Sequence, residues 1–174
     1  MKLQTKPNPW SCIATAFAMA LDIPVAEFFD LVGHDGIEKC FPALAEPMCR
    51  RGLHVQECIA VCLGLGYAVT PVELFPVIQA TPNQNQTSHH GRTVVVTFGK
   101  SETDNWQRFT SLIRSSVGVI QGAGRRCQHA VAYDHGTIFD PDGQQYLYSR
   151  EACEARSFFT RTAWRVDLIE GRRA

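Results

Sequence analysis

This sequence has no excess of charge of either sign: 17 basic side chains stand against 17 acidic ones in 174 residues. Without surplus positive charge a chain lacks the electrostatic footprint for binding a phosphate backbone, so nucleic acid is not an expected partner, although a local patch can hide in such an average. Long apolar runs are also missing. None reaches the roughly 18 residues needed to cross a bilayer, so no membrane partner is expected. Internal repeats are absent, and the one mildly low-complexity segment, Pro-Asn-Gln-Asn-Gln-Thr-Ser-His-His-Gly at 82–91, has the character of a solvated loop. Nor is the cysteine count even. Seven cysteines cannot all pair within the chain, and their irregular spacing is unlike a disulfide framework. A reducing, cytoplasmic setting is the simplest reading, with at least one cysteine kept for its chemistry.

What remains is an ordinary globular mix, 45% hydrophobic and 20% charged, in a length that suits one domain with a proper core. The pattern predicts an α+β fold in a single domain: a helical part over about 1–66 and a strand-rich part over about 67–174. Helices are expected at 12–21, 24–32 and 55–63. Pro24 sits near the start of the second and Gly33 follows it, while Gly64 and Gly66 end the third. Strands are expected at 67–74, 93–98, 117–121, 130–133, 137–139, 145–148 and 163–169. Helices at 104–115 and 149–156 lie among them. Residues 34–52 are less regular, with Pro42, Pro47 and Gly52 as breakers.

The first 21 residues allow two readings. Lys2 and Lys6, the apolar stretch at 13–21 and Ala18-Met-Ala20 resemble a signal peptide with its cleavage site. Against that, Pro7-Asn-Pro-Trp-Ser11 is turn-like where such a peptide is already apolar, and Asp22 and Pro24 follow at once. The competing reading is a buried helix capped by Ser11.

The most informative stretch is Gln128-His-Ala-Val-Ala-Tyr-Asp-His-Gly-Thr-Ile-Phe-Asp-Pro-Asp-Gly143. Two short apolar runs flank Asp134-His135-Gly136, a hairpin signal. A two-residue loop of Asp134 and His135 would pair Tyr133 with Gly136 and His129 with Asp140, and a three-residue loop would shift this pairing by one with His129 and Asp140 expected as diagonal neighbours. Side chains paired on one face lie about 5 Å apart, so the carboxylate could orient the imidazole and leave its other nitrogen free to act. Such a pair can equally be an exposed polar contact with no chemistry. Asp142 is a more exposed alternative to Asp140, and His135 suits a turn.

Cys12 stands where a proline-rich turn opens an apolar helix. A helix N-terminus favours negative charge and therefore thiolate over thiol, and a nearby imidazolium would add to that. Its own backbone N–H and the amide of Gln4, the only glutamine upstream, are candidate donors to an oxyanion. A free cysteine is otherwise a small buried hydrophobe. Cys58 and Cys62, one helical turn apart, fit that description better than a zinc site completed by His54 or His34. Cys127 lies two residues from His129 but has no helix mouth. Cys40, Cys49 and Cys153 carry no motif, and His89-His90 suits a solvated loop.

Taken in order, Gln4, Cys12 opening a helix with Ala14, Ala16, Met19, Ala20 and Leu21, then His129 and Asp140-Pro141, resemble the papain-like cysteine peptidases. Within these the bacteriocin-processing, double-glycine leader peptidases are the most similar. The resemblance covers most of the chain, with two departures: Ile13 replaces a small residue after the cysteine, and the gap from Gln4 to Cys12 is long. It implies a papain-like two-lobed fold with the site in the cleft and no cofactor or metal. A Cys12–His129–Asp140 triad, with Gln4 in the oxyanion hole, would cleave a peptide or isopeptide bond of a peptide or protein substrate. The same triad order serves transglutaminases and arylamine acetyltransferases, which pass the acyl group to an amine. A non-catalytic binding protein, viral or host-interacting for example, is a third possibility. The family also hints at small residues before the cut, and the loops at 82–91 and 122–126, with Arg125 and Arg126, are candidates to line the cleft.

Overall fold

A computed structural model describes residues 1–37, 52–74, 102–124 and 128–169. The expected strand at 93–98, the breakers Pro42 and Pro47, the loop with His89 and His90, and Cys40, Cys49, Arg125, Arg126 and Cys127 lie outside the described residues. The chain is α+β. Helices α1 (Cys12–Ala20), α2 (Val25–Val32) and α3 (Val55–Gly64) precede strand β1 (Tyr67–Glu73). Then come α4 (Glu102–Ser115), β2 (Val117–Ala123), β3 (Gln128–Asp134), β4 (Thr137–Asp140), β5 (Gln144–Leu147), α5 (Arg150–Ala155) and β6 (Phe159–Leu168). The strands form one antiparallel sheet in the order β1-β6-β2-β3-β4-β5.

Local chemistry sets the helix ends. Gly33 takes φ +87° after α2, a left-handed conformation that glycine adopts without a Cβ penalty. His54 caps α3: its ring accepts from the Gln56 N–H, and Glu57 accepts from the His54 N–H at 2.8 Å. Ser11 does precede α1 as expected, yet its hydroxyl does not cap. It donates to the Asn8 carbonyl at 3.1 Å, which holds the turn that delivers the chain to the helix.

Alternate residues of the central strands feed two core clusters, one on each face of the sheet. Val119, Ala130, Ala132 and Phe139 pack with α1 and with side chains of α2 and α3. Ile120, Val131, Tyr133 and Ile138 pack with Phe109 and Ile113 of α4 and Cys153 of α5. The small Ala130 and Ala132 let α1 lie directly on β3. Every residue from Ile13 to Met19 is buried, so the stretch that mimics a signal peptide is the central helix of this core. Among the described residues no single helix is long and apolar enough to cross a membrane.

Close backbone approach recurs in β2. A Cβ at Gly122 would lie 2.3 Å from the Phe159 carbonyl oxygen and 2.9 Å from the Phe158 ring, beside a register shift between Gln121 and Gly122. Backbone cannot yield as a flexible side chain can. Gly122→Ala is therefore expected to destabilise the fold by about 1–3 kcal/mol, read as a lowered thermal midpoint. An unchanged midpoint would refute this account of the bulge.

Candidate active site

The hairpin forms, but its register differs from the expected one. The loop is His135-Gly136, closed by the pair Asp134 and Thr137, so Tyr133 faces Ile138 and not Gly136. Both loop residues have positive φ, 45° and 88°. A two-residue turn with positive φ at both positions accepts glycine most easily at its second position, and this draws Gly136 into the loop. The resulting slip is two residues. A slip of one would have moved Asp140 to the other face; a slip of two keeps it on the same face as His129. Asp140 reaches the ring from a diagonal position, with its Oδ1 2.9 Å from His129 Nε2. The same oxygen accepts from the Asp142 backbone N–H at 2.9 Å.

With Nε2 turned to the carboxylate, Nδ1 is the ring nitrogen left for a second partner. The Cys12 thiol is near enough to act on the imidazole alongside Asp140. Cys12 is the first residue of α1, half-buried, at the point where the helix meets the start of β3. The Phe158 ring stands edge-on to His129 at 5.6 Å and holds its plane. Cys12 and His129 line a cavity of about 290 Å³ together with Trp10, Leu53, Gln121 and Ala130.

The electrostatics follow from burial and charge. Burial pulls the His129 imidazole down, but the hydrogen bonds to Asp140 and Cys12, reinforced by their charges, push it up to about 10. Asp140 feels the opposite balance. Burial raises it, whereas the His129 hydrogen bond and charge, the Asp142 N–H and Lys6 together hold it below its ordinary value. Lys6 lies there because its backbone N–H donates to the Pro141 carbonyl at 2.9 Å and its ammonium pairs with Asp142.

Three of the four expected site residues thus come together, and Gln4 does not join them. Its Nε2 donates to the Ile23 carbonyl at 2.7 Å, and its Oε1 accepts from the Val25 N–H at 2.9 Å. Pro24 has no side chain able to cap α2, so Gln4 satisfies one of the unpaired N–H groups of that helix. The more exposed Asp142 serves Lys6, and His135 sits in the turn beside Asp134.

Among the described residues one cluster could present three metal ligands: His129, Asp140 and Asp142 place ligand atoms within 4.8 Å of one another. Asp140 is already engaged by the imidazole, and the Lys6 ammonium on Asp142 would repel a cation. Cys58 and Cys62 are fully buried in the first core cluster, and burial drives Cys62 up to about 12 and Cys58 well above its usual value. Thiols held protonated in this way are poor zinc ligands. The four cysteines among the described residues are all free.

The cavity wall contains one residue that the sequence reading passed over. Gln121 lies opposite Ala130 on β2, and the Trp164 indole donates to its Oε1 at 3.2 Å. Its signal was present as a lone amide in the apolar run Val-Gly-Val-Ile-Gln-Gly-Ala. No protein-family model matches the chain, and no curated protein matches it.

Proposed function

We propose that this protein is a thiol hydrolase with a papain-like two-lobed fold, cleaving a peptide or isopeptide bond through a covalent acyl-enzyme. One observation carries the reading: a thiol at a helix N-terminus shares the wall of an open cavity with an imidazole that is hydrogen-bonded to a buried carboxylate. Such a set matches the nucleophile, base and orienting group of covalent catalysis.

The steps follow from the geometry. With His129 protonated, Cys12 reacts as a thiolate, and the partial positive charge at the mouth of α1 favours that anion. Its sulfur attacks the carbonyl carbon, and the C=O π pair moves onto oxygen. The Cys12 backbone N–H lacks an intrahelical acceptor, as first-turn N–H groups do, and is placed to donate to that oxyanion. Collapse of the intermediate breaks the C–N bond, and the leaving amine takes the proton from His129 Nδ1. The thiolate charge, one of the two that raise the imidazole, has now gone. His129 is correspondingly a better base and removes a proton from water, which attacks the thioester. Cys12 leaves as thiolate while His129 keeps the proton. Asp140 holds Nε2 throughout, so the ring neither turns nor changes tautomer.

The substrate is a peptide or protein segment that fits the cavity. The chemistry suits a reducing compartment, where Cys12 is not consumed by oxidation.

Acid-quenched incubation with a diverse peptide mixture, followed by mass spectrometry of the intact protein, tests the proposal. The expected result is an acyl adduct on Cys12, with cleavage products that accumulate at the same rate when an amine acceptor is added. Turnover that requires the amine would reassign the protein as an acyltransferase. A lack of adduct together with a lack of products would overturn catalysis.

A further inference from the structure

The chemistry above needs a second donor for the oxyanion, and Gln4 is engaged elsewhere. We propose that Gln121 is that donor and therefore a catalytic residue. The assignment rests on the thiol-hydrolase reading and identifies a residue the upstream motif did not supply.

Three observations carry it. Gln121 has the strand parity of Val119, which packs in the core cluster of α1, so the two side chains share the face of the sheet that α1 covers. It lines the same cavity wall as Cys12, His129 and Ala130. Its orientation is fixed chemically. An indole N–H can only donate, so the amide atom that faces Trp164 must be the oxygen. The NH₂ group then points elsewhere, and it has no hydrogen-bond acceptor among the described residues. A half-buried amide in an apolar strand carries a desolvation cost unless its donors are used. Here the cavity lies beside them. As the thiolate attacks, the carbonyl oxygen gains charge, and the Cys12 N–H and Gln121 Nε2–H can converge on it.

Two reagents separate this role from a structural one. Acylation by p-nitrophenyl acetate, followed as the nitrophenolate burst, passes through an oxyanion. Alkylation by iodoacetamide is a direct displacement that forms none. Gln121→Leu, and Gln121→Met as a length-matched alternative without a donor, are expected to slow acylation by about 10²-fold. Alkylation of Cys12 should stay within about twofold of wild type. A folded variant that acylates within about threefold of wild type would overturn the assignment. So would a parallel fall in both rates, which would make Gln121 a support for the thiol. A wild-type protein that is alkylated at Cys12 but shows no burst would instead sink the hydrolase reading, and this assignment with it.

Discussion

Cys12→Ala is expected to lower kcat by on the order of 10⁶-fold, the scale on which removing the nucleophile disables a triad hydrolase. The protein should remain folded. Cys12 is only half-buried at the first position of α1, and alanine is the best helix former, so the stability change should stay near about 1 kcal/mol. Cys12→Ser separates this chemistry from that of a serine hydrolase. A serine hydroxyl needs a neutral imidazole to take its proton, whereas the Asp140 carboxylate on His129 favours the protonated ring. The serine variant is therefore expected to be close to inactive too. Progress curves on a cleaved peptide, with circular dichroism as a check on folding, measure both effects. Labelling by an electrophilic peptide that persists in Cys12→Ala, or that maps to Cys127, would show that the nucleophile is elsewhere.

The second large effect belongs to Asp140. Asp140→Asn keeps the shape but removes the charge that holds the imidazolium, and kcat/KM is expected to fall by roughly 10²–10⁴-fold. The pH profile should move as well. In the wild type His129 stays protonated up to about 10, so its ability to protonate the leaving amine is lost only above that value. Without the carboxylate, burial still pulls the imidazole down and only Cys12 is left to raise it, so its pKa falls from the wild-type value. The alkaline limb of kcat/KM should fall with it. An unmoved limb would show that Asp140 does not control His129.

Stability shares this linkage. The imidazole is raised on folding, so its contribution is complete below pH 6.5 and is lost as pH climbs through about 10. Asp140 is depressed on folding, so its contribution is present above its ordinary 3.8 and is lost as pH falls through the lower folded value. Denaturant unfolding between pH 6.5 and 10 should therefore show a decline in the wild type that flattens in Asp140→Asn.

The readable parts of this protein were those governed by a few neighbouring residues. Gly33 ends α2 and Gly66 follows α3 because left-handed backbone suits glycine, and the apolar period placed α1 to its last turn. The hairpin was legible in parity though not in register. Alternation along a strand survives a two-residue slip, so His129 and Asp140 share a face in both the expected and the observed pairing. Which residues formed that turn depended on the φ values of His135 and Gly136, and glycine settled the question.

Gln4 and Gln121 mark the limit of that local reading. Gln4 was chosen because it lies upstream of Cys12 in the chain, but proximity in sequence does not aim a side chain. Its amide bridges Ile23 and Val25, because a helix that begins after proline needs an acceptor for its first N–H groups from elsewhere. Gln121 lies far along the chain, and only the pairing of β2 with β3 and the packing of α1 on that face bring it to the cavity. The sequence alone determined the residue types, the helix mouth that favours an anion and the shared face of His129 and Asp140, since these depend on local backbone periodicity. The tertiary structure alone decided which amide lines the cavity with Cys12 and that thiol and imidazole share it, because that meeting is set by long-range packing of α1 on the sheet.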